Sequence, residues 1–147
     1  MKKILYDELL EKAKKAGIKR LVVGAVIKHR ARTLLLRRKA EDFMGGIYEL
    51  PSGQVKRQES LHDALTREVK EETNLKLRKI KYYLGHFDYK SRSGRKTRQL
   101  NFAVDVHSAH QVKLTEHDHY AWVHKSRMNN YPITAPVRKI LKVEKKK

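Results

Sequence analysis

The chain reads as an α/β protein in which helices cover a mixed sheet. Three features carry that reading. Residues 60–73 place Leu61, Ala64, Leu65 and Val69 at spacings of three and four, an apolar stripe along one side of a helix. Residues 97–106 set Leu100, Phe102, Val104 and Val106 in alternation with Gln99, Asn101, Ala103 and Asp105, the period of a strand. Around these two, strand-like and helix-like segments follow one another in the order helix, strands, helix, strands, helix.

The elements follow in chain order. Residues 7–16 form a helix whose stripe is Leu9, Leu10, Ala13 and Ala16, with Gly17 as its stop. Residues 21–28 are a buried strand, and residues 33–38 a second one after the basic turn His29-Arg30-Ala31-Arg32. Gly45-Gly46 interrupts the chain, residues 47–50 are a short extended piece, and Pro51 and Gly53 bracket a turn. In the helix 60–73, Ser60 is the expected N-cap and Asp63 complements the dipole in the first turn. Residues 81–89 and 97–106 pair as a hairpin through the turn 91–95. Residues 120–124 are a short strand, and the segment before them, with His117 and His119, reads as a surface loop; two histidines two apart on a strand, able to bind a metal, are the alternative. The last helix is 134–143, with Val137, Ile140 and Leu141 at helical spacing and Pro136 in the first turn, ahead of a solvated lysine tail.

Length and composition set the frame. A chain of 147 residues is expected to be one domain with a sizeable core. The absence of cysteine excludes a disulfide framework, a thiolate nucleophile and a cysteine zinc site. The start turns acidic too early for a signal peptide, and the longest apolar run, Leu21 to Ile27, is too short to span a bilayer, so the expectation is a cytoplasmic protein without a membrane. Lys and Arg number 35 against 16 Asp and Glu, a net charge of +19, which attracts polyanions such as phosphorylated small molecules or nucleic acid.

The chemistry concentrates in one stretch. Gly53 is followed by five residues and Glu59, then by seven residues and Arg67-Glu68-Val69-Lys70-Glu71-Glu72-Thr73-Asn74-Leu75. Glu68, Glu71 and Glu72 lie at i, i+3 and i+4, so three carboxylates share one side of the helix and repel unless a counter-charge joins them. A hard divalent cation, Mg²⁺ or Mn²⁺, supplies that charge and takes oxygen ligands. A solvated acidic helix face is the plainer alternative for the three glutamates alone.

This stretch resembles the Nudix box, with Asn74 standing where the family has Gly. Asn is the next best residue for a left-handed turn, so the bend is expected to survive. Tyr48-Glu49-Leu50-Pro51-Ser52-Gly53 resembles the family's lead-in to the box, and residues 114–123 its downstream segment. The resemblance covers roughly residues 20–125 and implies an α/β/α sandwich with a mixed sheet. It also implies hydrolysis of a diphosphate linkage in a nucleotide, with a divalent cation as cofactor.

Site residues carry over as follows. Glu68, Glu71, Glu72 and the Gly53 carbonyl are the expected metal set. Arg67, grouped with the catalytic residues, is expected to hold Glu59 and so fix loop against helix. One of Glu68, Glu71 or Glu116 is expected to assist the attacking water. Arg37, Arg38 and Arg98 are expected to meet phosphate. Apart from the resemblance, Tyr48 is expected to stack on a base, with Phe43, Phe87 and Tyr89 as further candidates; aromatic residues of this kind are more often core.

Two markers narrow the substrate. Positions Lys90 to Arg92 lack the Pro or Tyr of the ADP-ribose and dinucleoside-polyphosphate subclasses, and the catalytic Cys of the isomerase branch is missing. The expected substrate is therefore a nucleoside triphosphate, possibly an oxidised one, cleaved to monophosphate and pyrophosphate. The partner is a small molecule rather than nucleic acid. An RNA-binding module, or an RNA 5′-end-processing protein, is the rival supported by the basic residues Lys90, Arg92, Arg95, Lys96 and Arg98. The oligomeric state has no signature in the sequence.

Overall fold

The computed structural model describes residues 3–109 and 111–145. The chain runs α1 (Lys3–Lys15), β1 (Arg20–His29), β2 (Arg32–Arg38), β3 (Tyr48–Glu49), β4 (Ser52–Gln54), α2 (Leu61–Thr73), β5 (Leu77–Lys90), β6 (Lys96–Val106) and β7 (His117–His124). A 3₁₀ turn, Lys125–Asn130, and α3 (Ala135–Lys145) complete it.

The seven strands form one sheet in the order β3-β2-β1-β6-β5, with β4 also paired to β1 and β7 to β2. It is mixed: β1 runs parallel to β6, whereas β4 is antiparallel to β1 and β5 antiparallel to β6. Alternation along the central strands sends side chains to both faces. Val23, Ala25, Ile27, Leu100 and Phe102 meet Leu61, Ala64, Leu65 and Val69 of α2, and Leu9 of α1, on one face. Val26, Leu35 and Ala103 meet Val137, Ile140 and Leu141 of α3 on the other. This is the expected α/β/α sandwich. The first of these layers fixes α2 against the sheet, and so fixes the turn of α2 that carries the glutamates.

The ends of α2 follow the sequence closely. The Ser60 side chain accepts the Asp63 N–H at 3.0 Å. Asn74 adopts the left-handed conformation at φ 66°, and its N–H closes on the Lys70 carbonyl. The substitution of Asn for Gly thus leaves the helix stop intact.

Several boundaries move. Strand β5 begins at Leu77 rather than residue 81, because antiparallel pairing with β6 continues to Leu77↔Val106. Leu10 leaves the expected stripe of α1 and is 39% exposed; Leu9 and Ala13 carry the contact. The 3₁₀ turn lacks any apolar stripe and buries none of its residues, so periodicity cannot announce it.

The largest departure is β7, which starts at His117 and not at residue 120. Its pairing with β2 passes from Arg37↔His119 to Arg38↔His117, leaving Asp118 as an extra, bulged residue. A bulge bends a strand and re-aims the neighbouring side chain. Here it turns His117 inward.

Candidate active site

The box folds as β4, a tight loop and α2. Arg67 ties the three together. Its Nε and Nη2 donate to the two carboxylate oxygens of Glu59, each at 2.8 Å, and Nη2 also donates to the Gln54 carbonyl at 2.9 Å. Nη1 reaches Glu68, and Glu71 at 3.3 Å. Glu59 further accepts the Lys56 N–H at 2.9 Å. The guanidinium lowers the Glu59 carboxyl to about 2. Arg67, expected among the catalytic residues, therefore has the contacts of a positioning residue.

The carboxylates line a cleft of about 760 Å³. Gly53 stands at its floor, where an added Cβ would lie 2.0 Å from the Glu68 carboxyl carbon. Only a residue without a side chain lets that carboxylate rest there. Glu72 is 6% exposed and accepts the Ser52 N–H at 2.7 Å. Burial, reinforced by the charges of Glu68, Glu49 and Glu116, raises its carboxyl to about 8. Burial raises Glu68 as well, against the lowering effect of Arg67. Glu71 is over half exposed and Glu116 is exposed too, both bordering the same space. The Thr115 hydroxyl, donating to the Glu71 carbonyl at 3.1 Å, pins the loop that carries Glu116 to α2.

The expected substrate contacts divide. Alternation on β2 separates Arg37 from Arg38. Arg38 lines the cleft, donating to Glu49 and to the Phe43 carbonyl at 2.8 Å each. Arg37 lies outside it and pairs with Asp118 at 2.8 Å. Arg98 is also elsewhere, held by both oxygens of Asp88 at 2.8 and 2.9 Å. Tyr48 is 8% exposed in the core beneath α3, edge-on to Tyr131, and has no open face for a base. Phe87 packs against that core too. These placements correct the expectations for Arg37, Arg98 and Tyr48, and put Phe87 where such a residue more often lies, against the core.

At the outer end of the cleft the expected aromatics Phe43 and Tyr89 remain, 54% and 39% exposed. Arg92 sits 5.5 Å over the Phe43 ring, bridging two loops, and Arg20 donates to the Tyr89 hydroxyl. Arg20 and Glu49 were not singled out by sequence; Glu49 occupies the unspecified position of the lead-in. His117 is the larger correction, since it is buried in the cleft rather than in a surface loop, and its Nε2 lies 2.7 Å from Glu49.

Among the described residues no three of His, Asp and Glu converge closely enough to hold an ion as the side chains stand. Arg67 and the Ser52 amide engage the carboxylate oxygens instead. The donor set nevertheless fits a divalent cation. Five glutamates border one cleft, one of them buried and pushed far up, and the Gly53 cradle keeps a carboxylate against open backbone. A hard cation with oxygen ligands relieves that excess of negative charge.

Known proteins agree with this architecture. A family model described as NUDIX domain matches residues 22–143. The chain is 30% identical over 118 residues to CTP pyrophosphohydrolase of Escherichia coli, covering 76% of this chain and 81% of that protein. It is 43% identical over 58 residues to Nudix hydrolase 2 of Arabidopsis thaliana, covering 38% of this chain but only 21% of that longer protein. The solution structure of the E. coli ORF135 protein superposes with a TM-score of 0.74 at 26% identity, covering 89% of this chain and 92% of that one. With the box folded into a carboxylate-lined cleft on an α/β/α sandwich, the chain belongs to the Nudix hydrolase family.

Proposed function

We propose that this protein is a Mg²⁺- or Mn²⁺-dependent pyrophosphohydrolase that cleaves a nucleoside triphosphate to monophosphate and pyrophosphate. The observation that carries the reading is the gathering of Glu68, Glu71, Glu72 and Glu116 around Gly53 in one cleft with Arg38, Arg20 and Arg92. The similarity to a protein named CTP pyrophosphohydrolase supports the substrate class.

The residues divide the work. Glu68, Glu71, Glu72 and the Gly53 carbonyl would hold a divalent cation, which would supply neutralising charge to the diphosphate and a lowered pKa to bound water. Arg38, Arg20 and Arg92 supply positive charge along the cleft for the remaining phosphate oxygens, and Phe43 and Tyr89 offer aromatic faces to the base. Water attacks phosphorus; its proton passes to a carboxylate, Glu68, Glu71 or Glu116; the bond to the leaving phosphate oxygen breaks. Arg67 takes no part in bond making and keeps Glu59, Gln54 and Glu68 in register.

The RNA-binding reading loses support from the hairpin. Arg95 donates to the Lys19 carbonyl at 2.8 Å and Lys96 to the Ala16 carbonyl at 2.6 Å, so two of its cations tie down the chain that follows α1. A panel of nucleotides with Mg²⁺, with products resolved by chromatography, tests the proposal. Release of monophosphate and pyrophosphate is expected; phosphate release, or no turnover across the panel, contradicts it.

A further inference from the structure

One buried polar atom in the cleft has no partner. The side chain of His117 is 5% exposed, and among the described residues its Nδ1 is the buried side-chain nitrogen or oxygen without a hydrogen bond. The opposite ring atom, Nε2, lies 2.7 Å from Glu49 Oε2. A carboxylate only accepts, so this bond places a hydrogen on Nε2, and in the neutral ring Nδ1 then carries the lone pair. That lone pair faces Glu72, whose Oε2 is 4.0 Å away, too far for a hydrogen bond.

The surroundings hold this arrangement in place. Arg38 grips the other oxygen of Glu49, and the Ser52 N–H grips the other oxygen of Glu72. A metal-binding histidine almost always gives its second ring N–H to a carboxylate, a backbone carbonyl or water, which fixes tautomer and ring orientation. The Arg38–Glu49–His117 chain has that form, with Nδ1 as the free donor. The 4.0 Å gap is short enough for one ion to reach both atoms at about 2.1 Å each.

We propose that His117 Nδ1 and Glu72 Oε2 are two ligands of one divalent-cation site, which gives the cleft a preference for imidazole-accepting transition ions such as Mn²⁺, Co²⁺ and Zn²⁺ over Mg²⁺. The proposal rests on the reading of the cleft as a metal site and adds a nitrogen to its all-oxygen set. Water and substrate phosphate complete the coordination. Mg²⁺ favours oxygen, whereas imidazole suits the later ions, so the histidine discriminates between them.

The test uses the whole protein and the metal alone. Co²⁺ and Mg²⁺ binding are measured by calorimetry for wild type, His117→Gln and His117→Asn. In parallel, Mn²⁺ on ¹⁵N-histidine-labelled wild type is examined by pulsed EPR for coupling to a coordinated imidazole nitrogen. Either variant is expected to weaken Co²⁺ binding at least about tenfold while Mg²⁺ binding stays near the wild-type value. The labelled protein is expected to show the coupling. Equal loss for both ions marks a merely structural histidine and overturns the proposal, as does unchanged Co²⁺ binding. Absence of imidazole coupling in the wild type overturns it whether or not a variant folds. Mg²⁺ binding without that coupling leaves the metal reading of the cleft standing; failure of the wild type to bind either ion removes both.

Discussion

Replacing Arg67 by Ala tests whether the box is a built unit or a decorated helix. The side chain is 20% exposed and its Glu59 partner 14%, so neither ion is freely hydrated. Two parallel bonds of 2.8 Å join them, and a third reaches the Gln54 carbonyl. Charge-assisted bonds contribute roughly 1.5–3 kcal/mol each, less where water screens them. Removing the guanidinium also strands the half-buried Glu59 carboxylate. A loss of about 2–4 kcal/mol follows, or roughly 6–12 °C in Tm for a chain of this size. Because the loop Gln54–Glu59 and the Glu68 carboxylate both lose their anchor, kcat/KM is expected to fall about 10–100-fold.

Urea denaturation and steady-state kinetics measure the two effects. Arg67→Lys should recover little, since an ammonium cannot match both carboxylate oxygens. There is also an acid signature. The folded Glu59 carboxyl sits at about 2, below its ordinary 4.5. Its contribution is therefore complete above pH 4.5 and lost as pH falls through 2, and Arg67→Ala should flatten that limb. A stability change within about 0.5 kcal/mol, with unchanged kinetics, would refute the clamp.

Three further outcomes follow. Gly53→Ala should displace the Glu68 carboxylate, whose carbon would lie 2.0 Å from the new Cβ, and lower kcat at least tenfold (~1.4 kcal/mol or more) with little change in urea midpoint; unaltered turnover would show that the close approach is unimportant. Arg38→Ala should raise KM for a nucleoside triphosphate, whereas Arg37→Ala should not, because only Arg38 borders the cleft; equal effects would contradict the placement. Glu72, raised from 4.5 to about 8, binds its proton more tightly folded than unfolded, so the metal-free protein should lose stability as pH rises from 4.5 through 8, by at most about 5 kcal/mol; a flat profile in chelator would contradict the burial argument.

Much of this was legible in the sequence because it rests on local rules. The stripe Leu61, Ala64, Leu65 and Val69, the Ser60 cap and the Asn74 stop each act within a few residues, and each appears in place. The Arg67–Glu59 pairing came from the family resemblance and is present as two short bonds. What escaped depends on pairing between distant segments. The bulge at Asp118 exists only because β7 lies on β2, and it decides that His117 points into the cleft. Tyr48 reads as a candidate stacker until α3 and Tyr131 cover it. Arg37 and Arg38 are neighbours in sequence, and only the pleat sends them to different surroundings.

The most direct measurement of the central claim is single-turnover hydrolysis of a nucleoside triphosphate by wild type and Glu72→Gln, with Mg²⁺ and with chelator, alongside urea denaturation. Burial of Glu72 beside the Ser52 amide makes Gln a close fit, so the variant should remain folded. The account predicts a rate lowered by about 10²–10⁴ in the variant and abolished by chelator in the wild type. A stable variant that turns over at the wild-type rate, or a wild type indifferent to chelator, would contradict it.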